Sequence, residues 1–492
     1  MRPLAAALLL GAATVLGFAP FGLFPLPIAS LALLFALCAR AASPRRAAAC
    51  GFAWGLGCFL AGVSWVYVSM HDVGGMAAPI AVLATLLFCA LLAVFPAAAA
   101  GLLRWRMTRR PWRDALLAAA LWTLAEWARG WVLTGFPWLA TGYAQTPPSP
   151  LAGYAPLVGV YGVGFAAALL AGLLAFAWRR SAAVIAMLAV LAGGAALRPI
   201  AWTIPAGAPL SVALLQGNIP QSLKWEPGRA RQSLDTYVRL AESHPAELTV
   251  LPETALPLLL ADVPDDVLRR LAGRGALLAG VPLHDAAGYA NAAVAFAAPY
   301  GSAPPQIYAK SHLVPFGEVV PPGFNWFLDL MRIPLSDFTP GPPRQAPLAV
   351  AGQRLAPNIC YEDIFGEQII AALPAATLLV NMSNTAWFGA SLAQPQHLQI
   401  ARMRALETGR SMLRATNTGM TALIRPDGSV AAALPPFSEG ALSVAAQGYA
   451  GSTPYARLGN SPTVIVALLL AAILSRRRPA GGAGDDRADD GR

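Results

Sequence analysis

The chain has 492 residues, of which 56% are hydrophobic and only 12% charged, with a net charge of +10. Soluble domains carry about 25% charged residues, so the composition excludes an ordinary soluble protein and points to a membrane protein long enough to hold a folded domain as well. The positive balance is not that of a nucleic-acid binder, because the arginines cluster between apolar runs rather than along one amphipathic face.

The apolar runs come first. Residues 3–20 and 23–39 are broken by Pro20 and Pro25, and each approaches the ~20 residues that cross a bilayer. Arg2 gives the first run the look of a signal peptide, but no cleavage site followed by a soluble domain comes after it, so it is expected to be retained. Further spans are expected at 48–70, 75–102, 114–133, 154–177 and 181–200. A last one, 462–474, is short and should begin earlier and end at Arg476. Arginines gather at 40, 45 and 46, at 104, 106, 109, 110 and 113, at 179 and 180, and at 476–478. The alternate connections 71–74 and 134–153 carry only Asp72. Arginine-rich loops stay in the cytoplasm. Eight spans with both termini inside satisfy every loop and put 201–460 outside.

Glu126 and Arg129 stand three apart on one face of the fifth run, near its outer end, either as an ion pair that reaches outward or as a headgroup site. The uncharged GFPWLATGYAQ (135–145), with Trp138 and Tyr143, is an interfacial anchor or a pocket wall.

From about 208 the texture changes. Short β-rich runs at 209–216, 247–252, 276–281, 290–297, 305–309, 354–359, 376–382, 412–416 and 419–425 alternate with helical patterns at 228–243, 264–273, 362–372 and 391–409. This is the pattern of an α/β layered domain. The Pro-rich stretch 316–346 carries Phe324, Trp326, Phe327, Leu328, Leu330 and Met331, and reads as a loop packed on its own domain or a lid at the bilayer. The tail 479–492 is Gly- and Asp-rich and expected to be disordered.

Three strand ends carry the chemistry. Cys360 follows the run 354–359 and precedes the acids of EDIFGEQIIAA, at a strand-to-helix turn where N–H groups favour a thiolate or an oxyanion. On that stretch alone the commoner reading is a small buried hydrophobe, as most free cysteines are. The other four cysteines (38, 50, 58, 89) lie in apolar runs, and the five histidines lack metal-ligand spacing. Glu253 ends TVLPE, and Lys310 ends QIYAK. A carboxylate, an ammonium and a thiol at sheet ends make a coherent acyl-transfer set: Glu253 as general base, Lys310 as holder of thiolate and oxyanion, Cys360 as nucleophile.

The Glu-Lys-Cys order resembles the nitrilase superfamily. SLKWEPG (222–228), LPET (251–254), YAKSHLVPFGE (308–318), NICYEDIF (358–365), NMSNTAWFG (381–389) and HLQIARMRALETGR (397–410) resemble the apolipoprotein N-acyltransferase family. That resemblance implies a transmembrane helical bundle at 1–200, a nitrilase-like α-β-β-α sandwich at 201–455 on the periplasmic face of the inner membrane, a last helix within 456–478, and the tail 479–492. It implies a glycerophospholipid donor, a diacylglyceryl apolipoprotein as amine acceptor, a ping-pong thioester route, no metal or nucleotide, and a monomer.

Supporting positions have competing readings. Glu318 either holds Lys310 or the base, or is a solvated loop acid. Tyr361 offers an N–H to an oxyanion and a ring to an acyl pocket, or simply packs; Glu362 is a site acid or a first-turn acid. Trp225, Trp138 and Trp387, with Phe388, are entrance or pocket aromatics, or core. Asn384 and Arg404 sit in family words without evident chemistry. His312 raises a Cys-His hydrolase, which would leave Glu253 idle. The rivals are a membrane-tethered amidase using water, and a transporter or scaffold with a dead enzyme domain; the latter should lack one of the three residues.

Overall fold

The computed structural model describes residues 2–221, 229–285, 288–320 and 338–475. Every apolar run becomes a helix: α1 (Arg2–Thr14), α2 (Pro25–Arg40), α3 (Pro44–Val63), α4 (Ala78–Arg106), α5 (Pro111–Arg129), α6 (Ala155–Phe176) and α7 (Ser181–Leu197). By length and composition, Pro44–Val63, Ala78–Arg106 and Pro150–Phe176 suffice to cross a membrane. Four other apolar helices are shorter. Small residues let these helices touch backbone to backbone, as helices in lipid must when dispersion replaces the hydrophobic drive. A Cβ on Gly11 would stand 1.8 Å from the Trp54 carbonyl of α3, and one on Gly51 would stand 2.4 Å from the Pro96 carbonyl of α4. The run 114–133 stops being α-helical at Arg129, and 3₁₀ turns at Val132–Thr134, Thr141–Gln145 and Pro150–Tyr154 follow, joined by non-helical chain.

The second half is a two-sheet sandwich. Its strands are β1 (Thr203–Gln216), β2 (Leu248–Val250), β3 (Ala276–Asp285), β4 (Gly288–Phe296), β5 (Gln306–Ala309), β6 (Leu348–Val350), β7 (Gln353–Ile359), β8 (Leu378–Ser383), β9 (Met412–Thr416), β10 (Ala422–Ile424), β11 (Val430–Ala433) and β12 (Gly440–Gly451). Among the described residues they form two six-stranded sheets, ordered β12-β1-β2-β3-β4-β5 and β11-β10-β9-β8-β7-β6. Period-two alternation sends Val212, Leu214, Leu248, Val250 and Leu278 inward against Leu355, Leu378, Val380, Met382 and Leu413. The outer face of the first sheet is covered by α8 (Arg229–Ser243) and α9 (Asp265–Ala272), through Leu234, Val238, Leu268 and Leu271. The outer face of the second is covered by α10 (Ala393–Thr408), through Leu398, Ala401 and Ala405. α11 (Ser461–Ser475) follows and packs on α5.

α10 is the joint of the molecule. Its other side, Ala393, Ile400, Met403 and Leu406, belongs to the helical core. Its polar residues reach across: Gln399 accepts from Ala19 N at 3.0 Å and donates to Thr146 Oγ1 at 3.1 Å, and Arg402 donates to the Pro147 carbonyl at 2.7 Å. Gly159 (φ +65°) kinks α6, and the Val160 N–H donates to Glu407 Oε1 of α10 at 2.6 Å.

Three expectations need correction. Residues 362–372 are not one amphipathic helix but a 3₁₀ turn at Cys360–Ile364, a short α turn at Gly366–Ile369 and another 3₁₀ turn at Ile370–Ala372. The acids that should decorate a first turn, Glu362 and Asp363, point inward and are buried. The strands β6, β11 and β12 went unread, and β12 shows why: GALSVAAQGYAG has little bulk and only a weak alternation of exposure. Glu126 and Arg129 neither pair nor reach outward. Both are buried; Arg129 Nη1 donates to the carbonyls of Phe136 (2.5 Å) and Trp138 (2.7 Å), and Glu126 Oε1 accepts from Thr141 N (2.8 Å) and Oγ1 (2.7 Å). Together they shape the loop after α5. The core of the suspected lid (321–337), the tail 479–492, Arg476–Arg478 and Trp225 lie outside the described residues.

Candidate active site

Glu253, Lys310 and Cys360 leave the ends of β2, β5 and β7. Gly280 of β3 permits the first: a Cβ there would lie 2.2 Å from the Pro252 carbonyl and 2.8 Å from Glu253 Cα. Glu253 Oε1 accepts from Lys310 Nζ at 3.4 Å and from Asn291 Nδ2 at 2.8 Å, and Oε2 accepts the Asn384 amide at 2.8 Å. Lys310 is 1% exposed, and its ammonium also contacts Glu318 at 2.7 and 2.9 Å. Burial disfavours that ammonium, but Glu318 and then Glu253 outweigh it and raise its pKa, so Lys310 stays cationic. Asn291 Nδ2 donates to Glu318 Oε1 as well, at 2.8 Å, so one amide spans both carboxylates.

Cys360 is 7% exposed and holds φ at +54°, the left-handed region that side chains avoid unless their surroundings impose it. Its thiol pKa is raised well above the usual range, by burial first and then by Glu253, with Lys310 pulling the other way. The resting group is therefore a thiol, and attack needs a base. Glu253 is the adjacent carboxylate, and Lys310 the cation that can hold the thiolate and the oxyanion formed from it.

Each residue of the turn after Cys360 has a dedicated hold. Tyr361 donates its hydroxyl to the Gly135 carbonyl at 2.8 Å and stacks on Phe136 with centroids 6.2 Å apart. Glu362 accepts from Ile359 N (2.7 Å), Ser311 N (2.7 Å) and Oγ (2.9 Å), His312 N (3.1 Å) and the Tyr308 hydroxyl (3.0 Å), which fastens the loop after Lys310 to the Cys360 turn. The Ile364 carbonyl accepts from the Tyr143 hydroxyl at 3.1 Å and from Arg404 at 3.4 Å.

Glu318, Tyr361 and Glu362 thus gather with the three central residues. Trp138 does not line them: it is 1% exposed, donates to Gln396 Oε1 at 2.7 Å and packs behind the site near Trp65, Phe388 and His397. Trp387 is half-buried, in the turn that follows Asn384, and its carbonyl accepts from Ser69 Oγ at 2.8 Å. His312 stacks on Phe365 with centroids 3.9 Å apart and contacts Gln368 at 2.8 Å. Burial and then Lys310 push its pKa down to about 4. Asn291 escaped the sequence reading; its one signal is a lone amide in an Ala-rich strand.

Comparison with known proteins accounts for both halves. The family described as "Apolipoprotein N-acyltransferase N-terminal domain" matches residues 10–173, and "Carbon-nitrogen hydrolase" matches 211–455. A solved amidase from Nesterenkonia is similar over 53% of this chain and 97% of its own, at 21% identity and a TM-score of 0.38. The apolipoprotein N-acyltransferase of Nitrosomonas europaea is 49% identical over 95% of this chain and 96% of its own. That of Ralstonia nicotianae is 49% identical over 98% and 94%. With such identity along nearly the whole of each relative, the chain belongs to the apolipoprotein N-acyltransferase family.

Proposed function

We propose that this protein moves a fatty acyl chain from a glycerophospholipid to the N-terminal α-amine of diacylglyceryl-cysteine on apolipoproteins. Glu253 takes the Cys360 proton as the sulfur attacks the ester carbonyl. Lys310 and the Tyr361 N–H hold the oxyanion. Collapse expels the lysophospholipid alkoxide, which takes the proton back from Glu253 and leaves a Cys360 thioester. The lipoprotein amine attacks next and gives its proton to Glu253; the intermediate collapses to the amide, and the departing Cys360 thiolate takes that proton back, which restores the thiol and the Glu253 carboxylate. Glu318 keeps Lys310 in line, and Trp387 belongs to the substrate entrance.

The observation that carries this reading is a buried Glu253–Lys310 pair beside a cysteine in a strained turn, on a domain fused to apolar helices. The same helices and arginine pattern support eight spans, both termini cytoplasmic and the sandwich on the periplasmic face, and the family likeness implies a single copy per functional unit; thiol labelling of engineered loop cysteines in intact cells tests that topology. The chemistry is tested by incubating purified protein with phospholipid micelles and taking intact mass. One acyl chain should add to the wild type and none to Cys360→Ser. Its absence from the wild type contradicts the route.

A further inference from the structure

Beneath Cys360, on the outer face of the second sheet, three polar residues stand in one row across three strands. Asn358 of β7 is in register with Asn381 of β8, which is in register with Arg414 of β9. The row below on the same face (Ala356, Leu379 and Met412) is apolar, so three polar side chains buried at 2%, 0% and 1% exposure must find partners among themselves, with Ser383 and with the turn above. Asn381 Nδ2 donates to Asn358 Oδ1 at 2.7 Å and to the Cys360 carbonyl at 3.3 Å. Its Oδ1 accepts from Arg414 Nη1 at 2.5 Å and from Ser383 Oγ at 2.7 Å, which fixes the amide so that its nitrogen faces Cys360. Arg414 Nη1 also meets Asp363 Oδ2 at 3.2 Å, and Asp363 Oδ1 accepts from His397 Nε2 at 2.8 Å. Asp363 is three residues after Cys360, so the cluster grips the nucleophile turn at two points.

We propose that Asp363 and Arg414 are positioning residues that, through Asn381, hold the Cys360 backbone in its left-handed conformation and so aim the sulfur at the acyl carbonyl. The proposal rests on the reading of Cys360 as nucleophile. A left-handed non-glycine residue persists only where its surroundings over-determine it. Here the carbonyl of that residue has a donor whose orientation is set by a guanidinium, and the guanidinium is set by a carboxylate of the same turn. His397 closes the cluster from α10; burial and then Arg414 lower its pKa, so it is neutral and donates to Asp363. Its ring lies 5.5 Å from Trp138, which links the cluster to the loop after α5.

The full-length protein in phosphatidylethanolamine–phosphatidylglycerol micelles tests this by the single-turnover rate of thioester formation, followed by mass. Asn381→Ala, or Asn381→Ser should the first not fold, leaves the Asp363–Arg414 pair in place. It should form the adduct at least about tenfold more slowly, with the apparent KM for lipid within about twofold. Asp363→Asn should lower both Tm and rate, because it strands a buried guanidinium. The double variant Asp363→Asn/Arg414→Gln removes both charges, so it should regain most of the Tm while the rate stays at least about tenfold down. A merely structural pair would regain rate together with Tm. That outcome, or a wild-type rate in the Asn381 variant, overturns the proposal. A wild type that forms no adduct defeats the nucleophile reading itself and is distinguishable from either.

Discussion

The two arms of the site are built differently. The base arm, Glu253 with Lys310 and Glu318, is supported from within the sandwich: Asn291 of β4, the Asn384 amide and the Val314 N–H (2.9 Å to Glu318) supply its hydrogen bonds. The nucleophile arm, Cys360–Ile364, draws on the helical half as well. The Gly135 carbonyl and the Tyr143 hydroxyl come from the loop after α5, and His397 and Arg404 from the helix wedged between the halves. A carboxylate–ammonium pair needs only short loops and a partner amide. A strained nucleophile turn needs over-determination, and here the membrane half supplies part of it. The arrangement ties the geometry of the cysteine to the docking of the domain on its helices.

The largest effect that separates the arms is purely chemical. Glu253→Gln should slow acylation by about 10²–10⁴-fold, and Lys310→Met by about 10²–10³-fold. Lys310→Met also strands the buried carboxylates of Glu253 and Glu318 and should lower Tm, but neither change removes a hold on the nucleophile turn, so Tyr361 and Tyr143 should keep their environments by fluorescence and limited proteolysis. Glu362→Gln should act on both arms. It replaces an acceptor that serves five donors and turns an NH₂ toward them, so folding stability should fall by roughly 3 kcal/mol and activity with it. Tyr143→Phe removes one of two donors to Ile364 and should cost about 1 kcal/mol, with a partial loss of acylation rate and no change in Glu253 chemistry. A retained rate would show that the helical half does not position the turn.

The smallest effect depends on pH. His312 has a folded pKa lowered to about 4, against about 6.5 when unfolded. In the window between the two values the unfolded chain binds the extra proton, so stability should fall as pH drops from about 6.5 to 4. The contribution is on the order of 1 kcal/mol once screening by water is allowed for. His312→Phe, which keeps the stack on Phe365, should flatten that part of the Tm–pH curve.

Glu253, Lys310 and Cys360 were legible because each ends a short β run, and three such ends in order make a recognisable chemistry. The supports were less so. Asn291 is one amide in GYANAAVAF, and nothing local says that it faces two carboxylates. Asn381 of β8 and Arg414 of β9 are separated in sequence by α10, and only the strand register aligns them. α8 was readable because one side is apolar. α10 was readable as a helix, but nothing local says that His397, Arg404 and Glu407 are buried, which follows because the other side of α10 meets the helical bundle rather than water. Tertiary docking of that kind leaves no periodic trace. The 362–372 segment misled for a related reason: Glu362 and Asp363 belong to the site, and their inward bonds replace the hydrogen-bond ladder of a helix.

The most direct measurement is a chase. Wild-type protein loaded with one acyl chain on Cys360 is freed of phospholipid, mixed with an equimolar diacylated lipopeptide carrying a free α-amine, and followed by intact mass. The account predicts that the acyl mass leaves the protein and appears on the lipopeptide as an amide, one for one, with little free fatty acid. Release of fatty acid at the same rate with or without the lipopeptide would contradict it and make water the acceptor.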